Sequence, residues 1–170
     1  MSVLWLVLGL VALQRVAELS YARRNTAALL ARGGIEAGAA QYPWFVALHA
    51  AWLASMALFV PASAVPNWWL LGLYALLQIA RLWVVASLGP FWTARVITLP
   101  NAPLVRSGPY RLVRHPNYLV VALEIAVLPL AFGALVIALV FSVLDAVLIG
   151  WRIRVEDDAL SARRDLPTAR

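Results

Sequence analysis

Cysteine and lysine are both missing from this chain of 170 residues. Without cysteine, neither a disulfide nor a thiolate metal site can form, and no metal centre is expected. Without lysine, all 14 basic side chains are arginines; set against 8 acidic residues they give a net charge of +6. Such an excess often marks a nucleic-acid or anionic-lipid partner. Charged residues are nevertheless only 13% of the chain, which is 64% hydrophobic with a mean hydropathy of +0.83. A soluble domain of this length cannot bury so much apolar surface, so the chain reads as an integral membrane protein and nucleic acid is not expected. Arginine without lysine in an alanine-rich chain also suggests a GC-rich bacterial genome, hence a bacterial inner membrane.

The expected fold class is all-α: an integral membrane helical bundle of about five transmembrane helices, with a short C-terminal hairpin and a cytoplasmic cofactor loop. The chain is read as one domain over 1–170, with a three-span part over 1–88 and a loop, hairpin and tail over 89–170. Span one covers about Ser2–Ala22 and reads as a retained helix rather than a signal peptide, because no basic stretch precedes it and no small-residue cleavage site follows. Span two covers about Pro43–Val60 and span three about Pro66–Leu88. Pro116 opens span four, which ends near Pro129; Gly133 marks a tight turn, and span five runs to about Trp151. Asn117–Trp151 would make about 52 Å of helix, where two full crossings need about 60 Å. The last two spans are therefore expected to form a short hairpin. The first loop, the third loop and the tail carry twelve of the fourteen arginines. The positive-inside rule puts these three segments in the cytoplasm and the N-terminus outside.

Charges within spans are costly and face the protein interior. Arg15, His49, Arg81, Glu124 and Asp145 each lie about six or seven residues from the cytoplasmic end of a span, about 10 Å of helix. They are expected to form a paired polar layer flooring a cytoplasmic pocket, with Glu18 pairing Arg15 at i and i+3; helix–helix glue explains the same pattern about equally well. His49 taken singly reads as a hydrogen-bonded packing histidine.

The densest polar chemistry is "SGPYRLVRHPNYL", residues 107–119. Gly108 and Pro109 turn the chain, Arg111 and Arg114 stand near a helix start where free N–H groups favour anions, and Tyr110, His115 and Tyr118 add aromatic surface and directed donors. Positive-inside anchoring explains the arginines but not His-Pro-Asn-Tyr beside them. In the tail, Arg152 and Glu156 at i and i+4 share one helix face. A surface salt bridge worth little would account for that spacing. Their position below a membrane pocket also suits a site.

"LVRSGPYRLVRHPNYL", followed by an apolar hairpin and "RIRVEDDAL", resembles the isoprenylcysteine carboxyl methyltransferase family of integral membrane enzymes, which use S-adenosylmethionine. "RVAEL" and "GGIEAG" in the front half resemble small bacterial members of it. The resemblance implies that Tyr110, His115, Pro116, Asn117 and Tyr118 line the cofactor pocket and that the backbone of Ala102, Pro103, Leu104 and Val105 runs along the cofactor. It further implies that Glu156 is the acidic cofactor contact and that Arg81 and Arg152 are catalytic, at the acceptor. The chain departs from the family in lacking a glycine and tyrosines after the acidic cluster and in carrying Asp157 where Glu is common.

The resemblance thus implies an O-methyltransferase acting on a lipophilic acceptor that enters from the bilayer. That acceptor is either an isoprenylcysteine-like carboxylate or an alkylpyrone or alkylresorcinol hydroxyl. A carboxylate needs only an orienting cation, whereas a hydroxyl needs deprotonation, for which Glu124 or Asp145 would serve. Membrane sterol reductases share the Arg-His-Pro-x-Tyr stretch but bind NADPH and are longer. A transporter or scaffold would accommodate the intramembrane charges but leaves the loop and tail unexplained, and no inverted repeat is visible.

Overall fold

The computed structural model describes residues 2–100, 102, 105 and 107–160. Five helices carry the fold: α1 (Val3–Ala31), α2 (Tyr42–Phe59), α3 (Trp68–Leu88), α4 (Pro116–Ala131) and α5 (Leu135–Leu160). Local chemistry sets their ends. The Ser2 side chain accepts from the Trp5 N–H, and Asn67 Oδ1 accepts from the N–H groups of Trp69 and Leu70, satisfying donors that have no helical partner. Pro116 occupies the first turn of α4, where its missing N–H costs nothing. Gly133 turns the chain between α4 and α5 at φ +73°, a conformation glycine adopts without steric cost.

Four helical segments, Val3–Ala31, Ala39–Phe59, Trp68–Phe91 and Leu135–Ala159, are long and apolar enough to cross a membrane. The fifth apolar helix, α4, has 16 residues, about 24 Å against a core of about 30 Å. The expected shortness of the hairpin therefore lies in α4 alone, since α5 has 26 residues, about 39 Å of helix. One boundary differs from expectation: helix α1 continues nine residues past Ala22 through the first arginines. Helix α5 continues past Trp151 without a break, as the shared helix face of Arg152 and Glu156 requires. The first arginines of both segments lie within the helices.

A second difference is a small two-stranded antiparallel sheet. Strand β1 (Ile35–Ala37) pairs with β2 (Val96–Thr98), in the register Ile35↔Thr98, Glu36↔Ile97, Ala37↔Val96. It ties the loop after α1 to the segment after α3. Gln41 Nε2 donates to the Trp151 carbonyl at 3.2 Å, adding α5 to the same end. At the opposite end the Asn67 N–H donates to the Ala131 carbonyl at 2.7 Å, joining the turn before α3 to the hairpin tip. The three arginine-rich segments thus converge at one end, and the two charge-free turns at the other.

Most of the core, including Leu4, Leu8, Trp52, Met56, Ile125 and Leu128, lies on the charge-free side of the polar layer. A smaller cluster of Ala22, Val84, Trp92 and Val120 packs nearer the arginine-rich end. Leu13, Leu58, Leu76 and Val143 are exposed, as expected where acyl chains are the solvent.

Candidate active site

A cavity of about 650 Å3 opens at the arginine-rich end and runs inward between α1 and α2. Its size lies within the range of small-molecule and cofactor sites. The segments 91–97 and 114–121 and the last turns of α5 complete the wall.

Its floor is an ion cluster contributed by three helices. Arg81 on α3 grips Glu18 on α1 through two bonds, Nε to Oε1 and Nη2 to Oε2, each 2.6 Å. Arg81 Nη1 also donates to Glu124 Oε2 on α4 at 3.1 Å, and Arg15 Nη2 donates to the same oxygen at 2.6 Å. Arg15 Nη1 closes the ring to Glu18 at 3.1 Å. Gln14 also donates to Glu18 Oε1 at 3.0 Å, and Gln78 donates to the remaining oxygen, Glu124 Oε1, at 2.9 Å. Two arginines and two glutamates balance in charge, the arrangement that buried ions require. Arg15, Glu18 and Arg81 line the cavity, whereas Glu124, 1% exposed, stands behind them.

Of the expected layer, Arg15, Glu18, Arg81 and Glu124 are joined directly. Asp145 is fully buried outside the cavity wall, its two carboxylate oxygens without a hydrogen-bond partner among the described residues. Neither Glu124 nor Asp145 faces lipid. Neither lines the cavity either, and that removes both as acceptors of a substrate proton. His49 is hydrogen-bonded, as expected of a packing histidine, with Nδ1 2.9 Å from the Phe45 carbonyl; it also lines the cavity.

The mouth is built where the start of α4 meets α5. Arg152 and Glu156 are not simply a surface pair. Both converge on the Tyr118 hydroxyl, which accepts from Arg152 Nε at 3.1 Å and donates to Glu156 Oε2. The Arg152 guanidinium lies 5.3 Å from the centre of the Phe45 ring, within cation–π range. His115 stacks on Tyr118, with ring centroids 5.4 Å apart and planes at 20°. His115 Nε2 stands 3.8 Å from Asp157 Oδ1. His115 Nε2 and Asn117 Oδ1 are buried without hydrogen-bond partners among the described residues, whereas buried polar groups are normally paired. Burial, then the charge of Glu156, raises the pKa of the Tyr110 phenol above its usual value, so it stays a neutral donor at physiological pH.

Of the residues singled out from sequence, Arg81, Val105, Tyr110, His115, Asn117, Tyr118, Arg152 and Glu156 all line the one cavity. Pro116 is buried behind the mouth as the first residue of α4. Ala102 turns back on Leu99 through a 3.2 Å backbone bond and is not part of the wall. Pro103 and Leu104 lie outside the described residues. Sequence reasoning missed Phe45, Trp92 and Asp157 as wall residues. Trp92, next to the "SLGPF" glycine turn, and Asp157, beside Glu156 in "RIRVEDDAL", stood near motifs that could have signalled them; Phe45 did not.

The family model for the isoprenylcysteine carboxyl methyltransferase (ICMT) family matches residues 70–162. That range holds Arg81, the whole mouth loop and the Arg152–Glu156 helix. The chain is 39% identical over 160 residues to the "Uncharacterized protein YpbQ" of Bacillus subtilis (strain 168), covering 92% of this chain and 95% of that protein. No solved structure matches. Matched over more than half its length, including both ends of the cavity, this chain belongs to the isoprenylcysteine carboxyl methyltransferase family.

Proposed function

We propose that this protein is an S-adenosylmethionine-dependent membrane O-methyltransferase, embedded in a bacterial inner membrane with its cavity opening to the cytoplasm, and that it methylates a lipophilic acceptor. One observation carries the reading. The Tyr118 hydroxyl binds Glu156 and Arg152 together at the mouth of a cavity whose far end is a charge cluster between apolar helices. A polar ligand from the cytoplasm suits the mouth, and an apolar ligand from the bilayer suits the interior.

The donor chemistry of the mouth fits S-adenosylmethionine. The buried Asn117 Oδ1 matches an amine or hydroxyl donor, and the buried His115 Nε2 offers a second polar contact. Glu156 offers a carboxylate to a ribose, and the His115–Tyr118 stack offers a face to a purine. The cofactor, when bound, supplies a methyl group on a sulfonium that needs no further activation, so the protein's share is orientation and electrostatics.

Arg152 is fixed on two sides, by Tyr118 and by the Phe45 ring, and points a cation at the cavity between mouth and floor. Arg81, held by Glu18 and Glu124, gives that floor a rigid positive lining. The acceptor's oxygen is oriented between these two arginines, while its apolar tail lies along Ala12, Val16, Ala50 and Leu53, the apolar part of the wall between α1 and α2. An acceptor of either class, an isoprenylcysteine-like carboxylate or an alkylpyrone or alkylresorcinol hydroxyl, meets that description.

The test is methyl transfer by purified protein in lipid nanodiscs, from labelled S-adenosylmethionine to farnesylcysteine and to an alkylpyrone, side by side. Binding of S-adenosylhomocysteine and of NADPH is measured on the same sample. Transfer to either acceptor supports the reading; binding of NADPH without S-adenosylhomocysteine overturns it.

A further inference from the structure

His49 lines the cavity wall from α2. Its Nδ1 is 2.9 Å from the Phe45 carbonyl oxygen. A carbonyl can only accept, so in the neutral ring Nδ1 carries the proton and Nε2 keeps its lone pair. Among the described residues Nε2 has no hydrogen-bond partner, and it is not among the buried side-chain atoms left without one. It is therefore a cavity-lining base with a fixed tautomer. Such fixation of one ring nitrogen by a backbone carbonyl is the usual way a protein commits a histidine to accept at the other.

The carboxylates in this wall are engaged, and the other wall histidine, His115, is stacked on Tyr118 at the mouth. Glu18 is held by Arg81, Arg15 and Gln14. Glu156 accepts from Tyr118, and Asp157 faces His115 at the mouth. Glu124 and Asp145 are outside the wall. The charges around His49 are Arg15 and Glu18 from α1 and Arg81 from α3; on its own helix the Trp52 ring packs edge-on at 6.4 Å. The two arginines are placed to stabilise an oxyanion formed beside the imidazole.

We propose that His49 is the general base of the reaction and that the acceptor is accordingly a lipid hydroxyl of phenol or enol type, which must lose a proton, rather than a carboxylate, which has none to lose. This rests on the methyltransferase reading above. The acceptor O–H proton passes to Nε2, giving an imidazolium. The oxygen lone pair forms the new O–CH3 bond while the S–CH3 bond of the sulfonium donor breaks, its electron pair remaining on sulfur. The imidazolium then releases its proton to water.

The test uses two variants in nanodiscs. H49N keeps an amide N–H where Nδ1 stood and so keeps the Phe45 bond while deleting the base; H49Q keeps length but not the bond. S-adenosylhomocysteine binding reports that each pocket is folded, and whichever variant is folded is used. The first readout needs no turnover. A long-chain alkylphenol with a ring nitro group, whose phenolate is coloured, is bound in the presence of S-adenosylhomocysteine and titrated with acid. The wild type is expected to hold it as phenolate about one pH unit or more lower than the variant does. Equal ionisation in wild type and variant overturns the proposal.

The second readout is the transfer rate to a series of alkylphenols of rising acidity. The variant's deficit is expected to approach 100-fold with the least acidic phenol and to shrink as acidity rises. A deficit that does not change along the series overturns the base. Absence of all methyl transfer, with the ionisation difference intact, would instead sink the transferase reading and leave the base standing.

Discussion

Glu124 is the residue on which the floor depends. Its two oxygens collect Arg15, Arg81 and Gln78 at a site 1% exposed. Replacing it with alanine leaves two guanidiniums sharing Glu18, a loss of about 3–5 kcal/mol for a broken buried pair. E124A is expected to unfold at lower temperature or detergent denaturant than the wild type, whereas R95A should change stability little, because the Arg95–Glu36 pair is solvent-exposed and such pairs are worth about 0–1 kcal/mol. A second expectation concerns the mouth. Y118F removes the hydroxyl that links Arg152 to Glu156, and hydrogen bonds to charged groups are worth about 1.5–3 kcal/mol. S-adenosylhomocysteine should bind at least ~10-fold more weakly by calorimetry, with E156A and H115A weakened in the same direction; unchanged affinity in all three removes the mouth from the cofactor site. R81A and R152A should lower turnover more than that affinity. The individual charges were legible because a charge inside an apolar run is conspicuous. Their partners were not, since Tyr118 is 34 residues from Arg152 and 38 from Glu156 and no local spacing encodes the bridge.

At the level of elements, the mouth loop is held against α3 by a contact that only glycine permits. Gly108 sits at φ +55°, and a Cβ there would lie 2.2 Å from Ser87 Oγ and 3.1 Å from Trp83 Nε1. G108A must therefore shift the turn that carries Tyr110 and leads to His115. Cofactor affinity is expected to fall, and adding S87A, which removes the nearest atom, should recover part of it. The unfavourable φ, costing about 1–3 kcal/mol, would keep recovery incomplete. Full recovery would mean that the loop yields without backbone strain; no loss at all would mean that the loop's position does not matter to the ligand. The same reasoning applies to Gly38, where a Cβ would meet Val155 Cγ1 at 2.6 Å, one residue from Glu156. The elements themselves were largely readable, since proline and glycine bracket α4 and long apolar runs mark α1, α2, α3 and α5. The β1–β2 pair was not, because three-residue strands carry no periodicity and their partners are about 60 residues apart. The continuation of α1 through Arg23 and Arg24 escaped for a different reason: charge ends a membrane span, while alanine and leucine beyond it keep the helix going.

For the whole molecule, the separation of charged and uncharged ends makes sidedness a single experiment. The sheet and the Gln41–Trp151 bond gather the first loop, the third loop and the last helix at one end. The Asn67–Ala131 bond gathers the two arginine-free turns at the other. Trp68 and Trp69, 63% and 91% exposed, flank that second end, where interfacial tryptophans anchor a membrane protein. This agreement between charge bias and aromatic placement is why the topology could be argued from residue counts, although α4 is too short to be recognised as a full crossing. Because the chain has no cysteine, single-cysteine labelling can be read without background. Ser63→Cys and Arg111→Cys introduce thiols at exposed positions on opposite ends. With a membrane-impermeant maleimide in intact cells, Ser63→Cys should be blocked and Arg111→Cys should remain free until the inner membrane is opened. The reverse pattern would turn the cavity mouth away from the cytoplasm and remove the proposed route for the cofactor. Labelling of both in intact cells would mean that the arginine-rich end is not sealed on one side of the bilayer. The positive-inside assignment stands only on the first of these three results.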